Sequence, residues 1–185
     1  FDYFNWFSIV GGIALTLLTY LHGLNYIALK TKGVISDRAQ NYSKALYWVL
    51  YVGEVIFALL LLFQTDFLQV HPILTLLCLV LIVGFSVAGH VANFVNKQGW
   101  AFFFSGLTLV SLVALIFCGL FPRVMISSIS SKYDLMIQSA SSSNYTLIVM
   151  TIATIILIPC ILAYTIWSYW IFRKRIEMPA IGEGY

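Results

Sequence analysis

Phe121-Pro122-Arg123-Val124-Met125 closes one long apolar run, and Trp167-Ser168-Tyr169-Trp170-Ile171-Phe172-Arg173-Lys174-Arg175-Ile176 closes another. Between them lies a connection carrying Ser127, Ser128, Ser130, Ser131, Ser139, Ser141, Ser142 and Ser143, and apolar character returns at Tyr145. The order reads as a membrane exit, an outer loop, a re-entry and a basic stop. Crossing the hydrocarbon takes about 20 residues at 1.5 Å each, and Tyr145–Phe172 is long enough to do so. Pro159, in the middle of that run, lacks a backbone donor. A kink is expected there, with the Ile155 carbonyl left to find another partner.

The rest of the chain has the same character. Hydrophobic residues make up 61 % and charged residues 9 % of the sequence, and mean hydropathy is +0.94. A soluble domain carries about 25 % charged residues, so this chain has too little polar surface to cover itself and lipid is its solvent. The net charge of +3 is small. No acidic or basic tail of the kind that binds nucleic acid is present. Phe1 stands almost at the start of an apolar run, with no basic segment or small-residue cleavage site before it. The expectation is an internal piece of a longer membrane protein. Cys78, Cys118 and Cys160 each lie in an apolar run and read as packing thiols.

Five spans are expected: Phe4–Leu29, Ala45–Phe63, Pro72–Val95, Trp100–Phe121 and Tyr145–Phe172, with Pro122–Asn144 as an outer loop. The fold class is an all-α integral membrane protein, an up-down bundle plus one additional helix, in a single domain over residues 1–185. The connections Gln64–His71 and Asn96–Gly99 are short and force antiparallel neighbours. Lys30, Lys32, Arg38, Lys44, Lys97, Arg173, Lys174 and Arg175 fall on one side of the membrane, and only Arg123 and Lys132 on the other. The positive-inside rule then puts the N-terminus of the segment outside and its C-terminus in the cytoplasm. Trp6, Trp48, Trp100, Trp167 and Trp170 all sit near expected interfaces, where an indole is most comfortable. Gly12, Thr16, Thr19 and Gly23 form a small-residue stripe suited to close packing in the bundle or against a subunit. Leu135, Met136 and Ile137 suggest that the outer loop turns back onto the protein, as a cap or as part of a docking surface.

Three blocks resemble subunit II of the cytochrome bd-type quinol oxidases. One is Leu21-His22-Gly23-Leu24-Asn25-Tyr26-Ile27-Ala28-Leu29-Lys30-Thr31. The second is Trp100-Ala101-Phe102-Phe103-Phe104-Ser105-Gly106-Leu107-Thr108. The third and most specific keeps its spacing across a loop and a helix: Phe121-Pro122, Met125, Ser127-Ser128, Ala140-Ser141-Ser142, Thr146-Leu147, Met150, Pro159, Tyr164, Trp167, Tyr169-Trp170 and Ile176. The likeness spans nearly the whole chain and about the C-terminal half of the family's subunit. It implies a haem-free structural subunit, without catalytic residues of its own, in a complex that oxidises quinol and reduces oxygen to water. Haem b and haem d would belong to a partner, subunit I, and a quinone or lipid could lie against the helices. The setting implied is a bacterial or archaeal cell membrane. The family's acidic residues tied to proton supply lie mainly in N-terminal helices that this chain does not include, so none carries over. The family often has an acidic residue before the Ala-Ser-Ser segment, where this chain has Gln138 and Ser139.

Glu54 is the one acidic residue inside an expected span. An intramembrane carboxyl must be protonated, paired or beside water. Tyr51 and Tyr47 lie on the same helical face and are placed to hydrogen-bond it. Glu54 with Tyr51 is therefore a candidate proton relay, or else a neutral acid bonded across a helix interface. His22 and His90 stand at similar depth on the first and third spans, as a bis-His haem b would require. A bis-His cytochrome b anchor is thus an alternative reading to two hydrogen-bonded histidines. Half of a transporter is a third, with Pro159 and Glu54 as its support. His71 reads as a turn residue before Pro72. No nucleophile–base pair, phosphate loop or metal-ligand spacing stands out.

Overall fold

The computed structural model describes residues 5–127 and 129–176. Phe4, where the first expected span begins, and Ser128 lie outside the described residues. The chain divides into two compact units, Phe1–Leu120 with Arg175–Tyr185, and Phe121–Lys174. Five helices are long and apolar enough to cross a membrane, so the chain is an all-α, multi-span membrane protein.

The first unit is built on four of these helices. α1 (Trp6–Lys30) starts at Asn5, whose side chain accepts from the Ser8 amide at 2.8 Å. It turns Leu18, Leu21, Leu24, Asn25 and Ala28 inward, a stripe one or two turns apart throughout. Only Thr31–Gly33 separates it from α2 (Val34–Gln64). Gly33 makes that reversal with φ +69°, a left-handed conformation that side chains other than glycine resist.

The expected start of the second span at Ala45 is corrected here, because α2 begins eleven residues earlier, at Val34. Charges lower the hydropathy of its first three turns, yet Ser36, Ala39, Gln40 and Ser43 are buried with helical spacing. Arg38 and Lys44 therefore ride on a helix and not on a loop. At 1.5 Å per residue α2 is about 46 Å long, more than the hydrocarbon needs.

The connection after α2 is also more ordered than a short loop. It holds one helical turn, α3 (Phe67–Val70), with Phe67 4 % exposed. α4 (Pro72–Phe94) opens with Pro72, whose missing donor costs nothing in a first turn. α5 (Gln98–Leu120) follows a tight link in which Asn96 has φ 59°. α1 packs on α2 and α5, and α4 packs on α5 and α2, which closes an up-down ring. Its apolar core is formed around Leu18, Leu21, Leu50, Phe57, Leu61 and Leu115. At the end where α1 meets α2, the Ile176 backbone bonds the Lys30 carbonyl at 2.8 Å and the Lys32 amide at 3.1 Å.

The second unit replaces the expected outer loop with a small hairpin. β1 (Arg123–Met125) runs antiparallel to β2 (Leu135–Met136). Asp134 holds the hairpin together: it accepts from the Ser127 amide at 2.8 Å and pairs with Arg123 at 3.5 Å. Leu135, Met136 and Ile137 are each about two-fifths exposed. A single turn, α6 (Ile137–Ala140), leads to α7 (Asn144–Ile171), capped by Ser143. α7 runs on through Pro159 as one helix, and within its unit it packs on none of the other elements. Cys78 is buried, Cys118 half-buried and Cys160 exposed, so of the three expected packing thiols only Cys78 is fully enclosed.

Gly119 on α5 is where the ring of Phe67 packs, and an added Cβ would fall on that ring. Gly119→Ala is expected to cost about 1–3 kcal/mol through overpacking. Thermal unfolding of the protein in detergent should show an earlier transition than the unchanged chain.

Candidate functional site: a polar seam inside the bundle

Lipid offers the helices no hydrophobic reason to associate, so close packing and interhelical hydrogen bonds must supply it. The first unit is knit by such bonds. Asn25 of α1, 1 % exposed, accepts from Ser43 Oγ at 2.6 Å and donates to Tyr47 Oη at 3.2 Å and to the Ala101 carbonyl at 3.4 Å. Asn93 of α4 donates to Ser43 at 2.8 Å and to Asn25 Oδ1 at 3.5 Å. Gln40 donates to the Asn93 carbonyl at 2.9 Å and to Asn96 Oδ1 at 2.7 Å. One lattice of uncharged side chains thus joins all four helices. Gly89 leaves room for it, since an added Cβ would stand 2.6 Å from the Tyr47 hydroxyl.

Deeper along the α2–α4 seam the groups become titratable. Tyr51 Oη lies 2.9 Å from His90 Nδ1, and the imidazole stacks on Tyr47 with centroids 4.6 Å apart. One turn further, Ser86 Oγ donates to Glu54 Oε2 at 3.1 Å. Two shielded atoms, Glu54 Oε1 and His90 Nε2, have no hydrogen-bond partner among the described residues. Glu54 also borders a cavity of about 80 Å³ whose other walls are apolar, including Leu18, Phe57, Leu79, Ile82 and Leu112. At the opposite end of the seam, Lys44 Nζ sits 5.4 Å from the Phe94 ring centroid.

The structure rearranges several sequence expectations. Tyr47 and Tyr51 share a face with Glu54, but they bond Asn25 and His90, and Ser86 is the partner that Glu54 finds. His22 and His90 do not face one another. His22 lies in the α1–α5 seam, 2.8 Å from Ser105 Oγ and stacked on Phe102 at 4.4 Å, while His90 lies between α2 and α4. Two axial ligands must meet across one gap, so this pair does not fit a haem. Among the described residues no three His, Cys, Asp or Glu side chains gather as a metal site. Gly12, Thr16, Thr19 and Gly23 are exposed, and both threonine hydroxyls bond their own helix. That stripe is therefore not part of the packing within the first unit. Asn25, Gln40, Ser43, Ser86, Asn93 and Gly89 went unnoticed in the sequence. Their signal was there: polar residues at spacings of three and four on α2 and α4.

Short helical connections, a hydrogen-bonded interior and an apolar exterior define a polytopic membrane protein with a polar core. Residues 1–172 match the family described as cytochrome bd terminal oxidase subunit II, and the chain belongs to that family. It is 42 % identical over 176 residues to cytochrome bd ubiquinol oxidase subunit 2 of Bacillus subtilis strain 168, covering 95 % of this chain and 52 % of that protein. It is 26 % identical over 219 residues to the probable cytochrome oxidase subunit 2 of Haemophilus influenzae, covering 100 % of this chain and 56 % of that protein. It is 40 % identical over 89 residues to cytochrome bd-I ubiquinol oxidase subunit 2 of Escherichia coli K12, covering 48 % of this chain and 24 % of that protein. The chain spans about half the length of the first two relatives.

Removing the centre of the lattice should be costly. Asn25→Ala removes the acceptor of the Ser43 hydroxyl and the donor to the Tyr47 hydroxyl, and is expected to destabilise by about 1–3 kcal/mol. Urea or thermal unfolding in detergent measures it. A control change at exposed Thr19 should leave the transition in place.

Proposed function

We propose that this chain is the C-terminal half of a haem-free subunit II in a bd-type quinol oxidase. The complex would oxidise quinol, reduce oxygen to water and add to the proton gradient. The observation that carries this reading is the family match over residues 1–172, joined to an interior built for cohesion. The lattice around Asn25 and Asn93 holds four helices together without any charged pair in it. A subunit whose task is to support a redox partner needs such a frame and no reactive group of its own.

In this reading haem b and haem d are carried by subunit I. The five spans form one membrane domain in a bacterial cell membrane. The N-terminus of the segment is outside and the C-terminus cytoplasmic, following the excess of Lys and Arg at the α1–α2 and α4–α5 connections. The outward Gly12–Gly23 stripe and the Pro159 helix are surfaces for subunit I or lipid. Glu54 and Tyr51 are the relay candidates within the chain.

Purification with native partners tests the assignment. A haem-bearing subunit should co-purify, and the chain alone should show no haem b band in a reduced-minus-oxidised spectrum. Isolation without such a partner, or a haem band lost on changing His22 or His90, would sink the reading. Glu54→Gln is expected to lower quinol-oxidase turnover by less than about twofold, with assembly and haem content intact. A loss of tenfold or more (about 1.4 kcal/mol) would put Glu54 on the route used in every turnover.

A further inference from the structure

Polarity along the α2–α4 seam is graded. On α2, Gln40, Ser43, Tyr47, Tyr51 and Glu54 follow one another at helical spacing, and on α4 Asn93, His90 and Ser86 answer them. The series covers about 21 Å at 1.5 Å per residue. It begins at the end where α4 meets α5 through Lys97, and it stops at Glu54. Beyond Glu54 the same two helices bury Phe57 and Leu61 on one side and Ile82 and Cys78 on the other. The side chains of α1 and α5 that border the carboxyl, among them Leu18 and Leu112, are apolar. The groups that face it are Tyr51 and Tyr47 on its own helix and Ser86 and His90 on α4, with Lys44 at the far end of the seam.

We infer that this seam is a one-sided proton well: Glu54 exchanges its proton with water at the Lys44–Lys97 end and is sealed from the opposite side by the apolar core. The two unpartnered atoms belong to the residues that flank the breaks in the series. One break separates Tyr47 from His90, whose rings stack without a hydrogen bond. The other separates the Tyr51 hydroxyl from the Glu54 carboxyl one turn away. Water at these levels would give Glu54 Oε1 and His90 Nε2 the partners that buried polar atoms require. The cavity of about 80 Å³ beside Glu54 has room for water at the carboxyl, its one polar wall. The amides of Asn25 and Asn93 hold the hydroxyls of Ser43 and Tyr47 at the entrance to the seam. The hydroxyls of Ser43, Tyr47 and Tyr51 and the imidazole of His90 pass the proton, directly from Tyr51 to His90 at 2.9 Å and through water at the other steps.

The inference rests on the membrane-spanning reading and not on the oxidase reaction, and its test reads an adduct instead of oxygen consumption. The complex, purified with its native partners, is sealed into vesicles and treated with dicyclohexylcarbodiimide. This apolar reagent adds to a protonated carboxyl in apolar surroundings, as Glu54 has. Mass spectrometry of the peptide containing residue 54 measures the adduct, with Glu54→Gln as the blank. Lowering the pH on the Lys44–Lys97 side should raise labelling by up to about tenfold per pH unit while the carboxyl is ionised. The same change on the other side should leave it constant. Tyr51→Phe and, independently, His90→Gln should slow the response to a pH step by about tenfold or more, since a positioned proton carrier is worth at least that. Labelling that follows the other side or both sides equally, that responds at the unchanged rate in both variants, or that is absent at every pH overturns the inference. A failure here leaves co-purification with a haem-bearing subunit untouched, so the two readings fail separately.

Discussion

Everything in the first unit depends on the bond from Ser43 Oγ to Asn25 Oδ1, 2.6 Å long and wholly enclosed. Helices in lipid gain little by hiding apolar surface from one another, because the surroundings are as apolar as they are. An amide held between them has no comparable alternative outside the bundle. Asn25 spends both of its polar atoms on three other helices, through Ser43 and Tyr47 on α2, Asn93 on α4 and Ala101 on α5. Its position sets the register of α1 against the rest. The apolar contacts around Leu21, Leu61 and Leu115 then complete a packing whose order the amide has already selected.

A core of this kind reconciles two demands that normally conflict. Polar groups in a membrane interior are costly unless satisfied, yet a subunit that must stay assembled beside a redox partner needs directional contacts. The lattice meets both with neutral groups, so no charge has to be desolvated to hold the frame. An ionisable carboxyl enters at its inner edge, where Glu54 finds a single serine. The transition from fully satisfied amides to a partly satisfied carboxyl, within two helices, separates the part that holds from the part that can change protonation.

Much of the fold was legible in the sequence because hydropathy over about 20 residues reports a span directly. All five spans were legible, and all four ends of α4 and α5 fell within two residues of those observed. The start of α2 was not, since Asp37, Arg38 and Lys44 lower the average although Ser36, Gln40 and Ser43 keep an inward face. The hairpin around Asp134 was hidden in a serine-rich stretch with few β-formers. The site was legible in kind but not in pairing. Depth can be counted along a helix, whereas the direction in which His22 or His90 faces depends on which neighbour lies there. Equal depth therefore placed the two histidines together on paper and in opposite seams in the molecule. The same limitation concealed Gly89 and Gly119, each of which matters only because a particular ring, Tyr47 or Phe67, arrives from another helix.

The turn at Gly33 has a bearing on how the interior is arranged. With three residues between them, α1 and α2 form one helical hairpin. That hairpin already contains Asn25, Ser43 and Tyr47, so the central amide has two partners without α4 and α5. Asn93 and Ala101 then join acceptors and donors that are held in place. The polar interior is thus nested, with a pair of helices adjacent in sequence holding the amide that the later two complete.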